Sequence, residues 1–426
     1  MDAHYDAVII GAGPAGSSTA ILLARKGWRV ALIEKALFPR RKVCGECIAA
    51  SNMPLLDALG IGHAARDLAG APLRNVALIF QDRMVRAGLP RFNDRRHPWG
   101  YALGRESLDT LLLEQAANAG ASVFCPWTAL AMEKAPEHMS CTIQEARSRE
   151  TRILAAPVVI AACGSWETHH RAIHASSGGP DVRTALAGPQ SDRHRSDLFA
   201  FKANFTSTTL QNGVLPVLSF PGGYGGMVVE GRSIATLAFC VRRDTLAACR
   251  QAKRGATAAE AAFAYVMQAC REVDLMLAGS ERLGPWLSIG PIRPGVRLAK
   301  NSGALFMVGN AAGEAHPIIG EGISMAIQGA WLLAEALLAQ KPEALRSKEH
   351  QDSVQRKYVV AWRRAFLPRI RLAAAFAHIA MRPALMGAMF PILERHPWLL
   401  THAAAWSGKV EGSFLPENKT RYNAES

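Results

Sequence analysis

The sequence predicts an α/β fold: a discontinuous Rossmann-type dinucleotide-binding domain, an inserted antiparallel β-sheet domain and a C-terminal helical region. Three observations predict it. The chain starts with a strand, a glycine turn, a helix and a second strand ending in an acid. Between Pro180 and Pro285 the pattern changes to recurring short strand-like pieces. At Ala304 to Gly322 a buried strand returns and runs into a second glycine-rich loop.

Each element has a reason. Asp6 to Ile10 is a continuous apolar run after its first residue, as a buried parallel strand requires. Gly11-Ala12-Gly13-Pro14-Ala15-Gly16 follows at once, and Ser17 to Lys26 has the apolar spacing of a helix. Gly27 ends that helix, and Trp28 to Ile33 forms the second strand, finishing in Glu34. Gly11 allows the tight turn, Gly13 lets main chain approach a pyrophosphate, and Gly16 lets the helix pack on the strand. The helix N-terminus offers free N–H groups to phosphates. Glu34 stands where a carboxylate accepts hydrogen bonds from ribose hydroxyls.

Beyond this unit, 36–50 reads as a polar loop leading into a helix near Pro54 to Leu59. Leu73 to Gly88 reads as a strand pair around a Gln81-Asp82-Arg83 turn. Leu103-Gly104-Arg105 precedes an amphipathic helix, Glu106 to Asn118, capped by Gly120 and followed by the strand Ser122 to Phe124. Pro157 to Ala162 is a further buried strand. The inserted part offers strands at Leu198–Phe205, Leu215–Phe220, Met227–Glu230 and Ser233–Val241, then a helical stretch, Ala256–Leu277. A helix is expected at Gly322–Leu338, a helical region from Pro342 to Ser407, and a loose polar tail after Gly408. The expected division is 1–72, 99–179 and 286–341 for the nucleotide domain, 73–98 and 180–285 for the inserted domain, and 342–426 for the C-terminal region.

Composition narrows the function. With 426 residues, 49% hydrophobic and 20% charged, the chain describes a folded multidomain protein and excludes a disordered one. No apolar run reaches about 18 residues, so no spanning helix is expected. The first apolar run is the nucleotide strand itself, so no signal peptide is expected. Eight scattered cysteines fit a reducing cytoplasm, and a cytoplasmic protein is expected, with peripheral membrane contact as an open alternative. The net charge of +14 comes without a nucleic-acid-binding motif, so nucleic acid is not an expected partner. An anionic substrate, an acidic carrier protein or an anionic membrane surface suits it better, and plain solubility explains it equally well.

Several residues carry two readings. Cys44 and Cys47 form a CxxC, which a redox disulfide or a zinc site uses. No second dinucleotide motif and no second cysteine pair accompany it, so a loop cysteine and a buried small residue are preferred, and no metal site is expected. Glu46 is either a cofactor contact or proton donor in the active site, or an acid at a helix N-terminus. His316 is either a general acid or base or a backbone-bonded loop residue. Phe220 and Tyr224 are placed at a substrate pocket, with a packed turn tyrosine as the equal alternative for Tyr224. The basic and apolar stretch Trp362 to Pro383 either lies on a membrane surface or covers the core.

Three segments in order, Gly11 to Gly16 with Glu34, Gly104-Arg105 ahead of Leu108 and Asp109, and Gly309-Asn310-Ala311-Ala312-Gly313 with Pro317 to Gly322, resemble the FAD-binding motifs of the flavoprotein monooxygenase and geranylgeranyl reductase superfamily. Flavin-dependent halogenases belong to it too. Lys42-Val43-Cys44-Gly45-Glu46 and Ser219 to Gly226 look closer to the geranylgeranyl-reductase-like branch. The resemblance implies FAD, with Gly11, Gly13 and Gly16 at the pyrophosphate, Glu34 at the adenosine ribose, and Ala15 and Lys35 as further cofactor-binding positions. It implies Arg105 near the phosphates or ribityl chain and the Ala129 backbone at the adenine edge. Asn310 stands where an aspartate usually bonds a ribityl hydroxyl, Gly320 and Gly322 would let the backbone come up to the flavin ring, and Pro317 and Ile323 are further cofactor-binding positions. The helix from Gly322 would aim its positive end at the pyrimidine side. The implied activity is an oxidoreductase. One reading is a monooxygenase hydroxylating a hydrophobic aromatic, polyketide or quinone-like molecule in secondary metabolism. The alternative is a reductase of prenyl or polyene double bonds. Halogenation is a minor option, because no Trp-x-Trp occurs. Electrons would come from NAD(P)H or a reductase partner, and Ala162-Cys163-Gly164 in place of the family's Asp-Gly counts against direct NADPH use. The substrate would be a hydrophobic small molecule, free or held by a carrier protein or lipid.

Overall fold

The structure, a computed structural model, describes residues 3–164, 194–298 and 304–409. The expected boundary at 179/180 and the tail beyond 409 lie outside them. Five parallel strands form the nucleotide sheet, in the order Leu305–Met307, Val158–Ala161, Ala7–Ile10, Val30–Ile33 and Ser122–Phe124. The helix Pro14–Ala24 packs between Arg105–Asn118 and Gly322–Leu338 on this sheet. It starts three residues before the predicted Ser17, because Pro14 occupies the first helical turn, where its missing N–H costs nothing.

A second layer was not read from the sequence. Trp127–Lys134, Met139–Glu145 and Thr151–Ala156 form an antiparallel meander, with Ala3–His4 parallel at its edge. Its strands are half exposed and mix polar with small residues, so they lack the dense apolar runs that mark the nucleotide sheet.

The inserted sheet has seven strands, in the order Glu281–Ile292, Leu198–Thr206, Ile234–Arg242, Gly223–Glu230, Val214–Phe220, Asn75–Phe80 and Arg83–Gly88. All neighbours are antiparallel except Val214–Phe220 and Asn75–Phe80, which run parallel. Residues 286–292 therefore belong to this sheet and not to the nucleotide side, because the ladder to Leu198–Thr206 runs unbroken in direction to Ile292. The predicted helical stretch is two helices, Ala258–Ala269 and Arg271–Leu277, and an additional helix, Arg243–Ala252, precedes them. Thr257 and Glu260 make a reciprocal capping box at the first of the two.

Sheet alternation decides what each face does. Ile79, Leu218 and Phe220 pack on one face, against the helices 258–277. Leu78, Phe80 and Tyr224 point to the other, against Ala377, Met386 and Phe390. The helix Lys348–Ala380 packs on Gly322–Leu338, burying Tyr358, Trp362, Phe366 and Ile370. These residues are core, so the inner face of that stretch covers the helix Gly322–Leu338. The chain then bends by 101° into Pro383–Arg395, followed by Trp398–Ala404, and both cross the second face of the seven-stranded sheet. Among the described residues no single helix is long and apolar enough to cross a membrane.

Candidate functional site

A cavity of about 980 Å³ runs from the carboxyl ends of the nucleotide strands to the space between the seven-stranded sheet and the C-terminal helices. Open parallel sheets bind ligands at that edge. At one end it is lined by Gly11, Gly13, Ala15, Glu34, Lys35 and Ala129, with Arg105 among them. Asn310, Pro317, Gly320, Gly322 and Ile323 line its middle. Cys44, Glu46, His316 and Tyr224 line it too.

Main chain shapes the first end. Gly11 has φ +103°, and a Cβ there would fall 2.6 Å from the Ala162 carbonyl oxygen. Gly16 does not line the cavity: its Cβ would sit 1.9 Å from the Gly11 carbonyl oxygen, so it serves helix–strand contact alone. Gly13 is the N-cap of Pro14–Ala24, with no side-chain cap, so the first amides stay free. A Cβ on Gly13 would face two guanidinium nitrogens, Arg40 Nη2 at 3.7 Å and Arg105 Nη2 at 3.8 Å.

Those cations are held by carboxylates. Arg40 Nη1 lies 2.9 Å from Glu34 Oε1, and its Nη2 lies 3.4 Å from Asp109 Oδ2. Arg105 donates two parallel bonds to Asp109, both 2.7 Å. Burial works against the Arg105 charge, but Asp109 more than compensates and holds its pKa above the ordinary value. Lys42 also lines the cavity, and burial followed by Arg40 pulls its pKa down. Glu34 is buried and accepts from Ala12 N at 3.0 Å and Ala36 N at 2.9 Å.

The residues fit a dinucleotide. Arg40 Nε is buried without a partner, two guanidinium groups converge on bare main chain, and a helix presents free amides to the same spot. The helix Gly322–Leu338 likewise has no side-chain cap, and a Cβ on Gly322 would meet nothing within 4 Å. A pyrophosphate suits the first helix end. The second leaves open backbone for a ring system.

The residues with two readings now have positions. Glu46 is buried with φ +55°, and its Oε1 accepts from Arg105 N at 2.9 Å. It is an acid at a helix N-terminus, but of the helix Arg105–Asn118 rather than its own neighbour. It also pairs with buried Lys202 and accepts from Thr236 Oγ1 at 2.7 Å. These bonds use its lone pairs and oppose the proton-donor reading. Cys44 lies half-buried and accepts from Glu46 N at 3.3 Å, whereas Cys47 is buried in a strand paired with Tyr101–Ala102, and both are free thiols. Among the described residues no group of three or more His, Cys, Asp or Glu is placed to hold a metal.

His316 Nδ1 lies 3.0 Å from the Tyr224 hydroxyl. Burial lowers the His316 pKa to about 4, so its imidazole is neutral. Burial likewise pushes the Tyr224 phenol well above its ordinary value. Phe220 is not at the pocket: it faces the opposite side of the sheet, because its pleat parity is that of Leu218.

Sequence reasoning missed Arg40, the Lys202 network and Arg297. Arg297 braces the glycine loop, donating to the Asn310 carbonyl at 2.7 Å and to Glu314 Oε2 at 3.0 Å. Asn204 and Glu230 extend the Lys202 network: Asn204 Nδ2 donates to Glu230 Oε1 at 3.3 Å. Burial, then Glu46, pushes Glu230 up to about 7. A signal for Lys202 existed, a lone lysine inside the apolar strand Leu198 to Phe205.

Comparison with known proteins agrees with this geometry. The model of the family described as "FAD binding domain" matches residues 4–362. The chain is similar to a tryptophan 2-halogenase of Chondromyces crocatus, 36% identical over 117 residues, 28% of this chain and 22% of that protein. It is similar to the 6-methylpretetramide 4-monooxygenase of Streptomyces rimosus, 42% identical over 64 residues, 15% of each chain. The matched region thus spans less than a third of either relative's length. The solved structure of the myxobacterial chondrochloren halogenase CndH has the same fold, with a TM-score of 0.73 at 18% identity, covering 94% of this chain and 91% of that one. With most of its length matched and a cavity suited to a dinucleotide, the chain belongs to the FAD binding domain family.

Proposed function

We propose that the protein is an FAD-dependent monooxygenase that hydroxylates a hydrophobic aromatic, polyketide or quinone-like small molecule. The observation that carries this reading is the continuity of the cavity. Its glycine-rich end, suited to FAD, opens directly into a chamber lined by Leu78, Val217, Ile289, Met386, Leu393 and Leu399. In that apolar chamber the Tyr224–His316 pair offers a neutral hydrogen-bonding group to a phenol or carbonyl. Bound FAD, once reduced, supplies the chemistry that activates dioxygen. Gly13, Arg40 and Arg105 would hold the pyrophosphate, Glu34 the adenosine ribose, and the Gly320–Gly322 backbone the ring. The chain's own part is to orient the substrate and exclude water. Electrons come from NAD(P)H or a reductase partner.

A second reading, reduction of prenyl or polyene double bonds, draws on a separate observation. The segments Lys42 to Glu46 and Ser219 to Gly226, which resemble the geranylgeranyl-reductase-like branch, come from distant parts of the chain and meet at the cavity, the second through Tyr224 to Gly226. Labelled dioxygen separates the readings. With chemically reduced protein and an alkylated phenol, one labelled oxygen atom should enter the product and the other leave as water. Saturation of a polyene under strict anaerobiosis, without incorporation, would establish the reductase instead. A product carrying bromine when bromide is supplied would make it a halogenase.

A further inference from the structure

The last two described helices have an unusual outer surface. Five of the eleven exposed large apolar side chains among the described residues lie between 385 and 406: Leu385, Met389, Ile392, Trp398 and Trp406. Leu385, Met389 and Ile392 follow helical spacing and share one face of Pro383–Arg395. Trp398, His402 and Trp406 form a row of rings, with centroids 5.4 and 6.3 Å apart. The inner side of the same segments lines the cavity through Met386, Leu393, Leu399 and Leu400. Met389 is both exposed and cavity-lining, so the wall is one side chain thick there.

The charge on this wall has one sign. Arg382 and Arg395 are exposed. Glu394, the one carboxylate among described residues 381–409, is paired with Arg83. Apolar side chains, an indole pair and unopposed cations match the interface of an anionic bilayer.

We propose that the outer face of Pro383–Arg395 and Trp398–Ala404 docks the protein on an anionic phospholipid surface, and that a lipophilic substrate enters the cavity past Met389. The entry route rests on the hydrophobic-substrate reading above; the docking surface does not. The test is flotation of the FAD-loaded full chain with phosphatidylcholine vesicles, with and without phosphatidylglycerol. The protein should float with the phosphatidylglycerol vesicles and weakly with phosphatidylcholine alone. Partitioning should fall about fivefold for Arg382→Ala or Arg395→Ala. It should fall on the order of tenfold for Leu385→Ser combined with Ile392→Ser, with flavin absorbance unchanged. Failure of the parent protein to float, or flotation of the double variant at the parent level, overturns the proposal. So does a dimer that the double variant splits without vesicle binding, because a second copy would then cover the face. So does an acidic carrier protein that binds where vesicles do not. Flotation requires no turnover, so its failure leaves the oxidoreductase reading standing, and failure of that reading leaves flotation unchanged.

Discussion

The two ends of the cavity are built on different principles. At the nucleotide end the surface is main chain, with carbonyls and amides exposed because Gly13 and Gly322 have no side chain to cover them. At the substrate end the surface is side chain, gathered from the strands 75–80, 214–220 and 223–230 and from the helices 383–395 and 398–404. A main-chain site is set by local sequence and tolerates little change of backbone. A side-chain site is set by packing, so its shape can be altered residue by residue while the fold stays.

Five substitutions sharpen or break this contrast. The largest effect is expected at the main-chain end. Gly13→Val leaves the protein interior intact, since only arginine tips lie near the new Cβ, yet it blocks the approach of a pyrophosphate. FAD content in the purified protein should fall at least about tenfold with an unchanged far-ultraviolet spectrum; a fully yellow variant breaks the comparison. Gly16→Val, by contrast, should fail to fold, because its side chain would overlap the Gly11 carbonyl.

Next comes the buried pair that joins the two ends. Lys202→Met leaves the Glu46 carboxyl buried without its lysine, and should cost about 3–5 kcal/mol in urea unfolding. A loss below about 1 kcal/mol would show that Glu46 does not need its lysine.

A pH effect of intermediate size follows from the Glu230 carboxyl, whose folded pKa of about 7 lies above the ordinary 4.5. Between those values the folded state binds more protons, so this contribution to stability is complete below pH 4.5 and is lost as pH rises through about 7. His316 acts in the opposite sense. Its folded pKa of about 4 lies below 6.5, so its contribution is present above pH 6.5 and is lost as pH falls toward 4. Glu230→Gln should flatten the decline in melting temperature between pH 5 and 8, leaving the acid limb unchanged; an identical profile would contradict the assignment.

The smallest effect is expected at Tyr224→Phe. Loss of the hydroxyl facing His316 should cost about 1 kcal/mol of stability. It should lower turnover of a phenolic substrate more than FAD content, because the change lies at the side-chain end. Equal losses in both would mean that the two ends are not separable.

Legibility in the sequence follows the same line. The helix Gly322–Leu338 and the strand Ser122–Phe124 coincide with their predicted bounds, since glycine boundaries and dense apolar runs mark them. The meander 127–156 went unread although Met139–Glu145 alternates apolar and polar residues, because its neighbours Trp127–Lys134 and Thr151–Ala156 carry no such alternation. Phe220 was placed on the wrong face, because nothing in the string Ser219-Phe220-Pro221 states the parity of the pleat. Arg40 lies six residues after Glu34, yet its pairing with Glu34 and Asp109 emerges only when the loop folds back.

The amino-acid string alone determined the dinucleotide-binding unit, because turns and helix ends depend on neighbours a few residues apart. Tertiary structure decided which side chains meet across long separations: Glu46 with Lys202, Tyr224 with His316, and the C-terminal helices over the seven-stranded sheet. Such contacts arise from how the layers pack, and packing is a property of the assembled chain that no short segment contains.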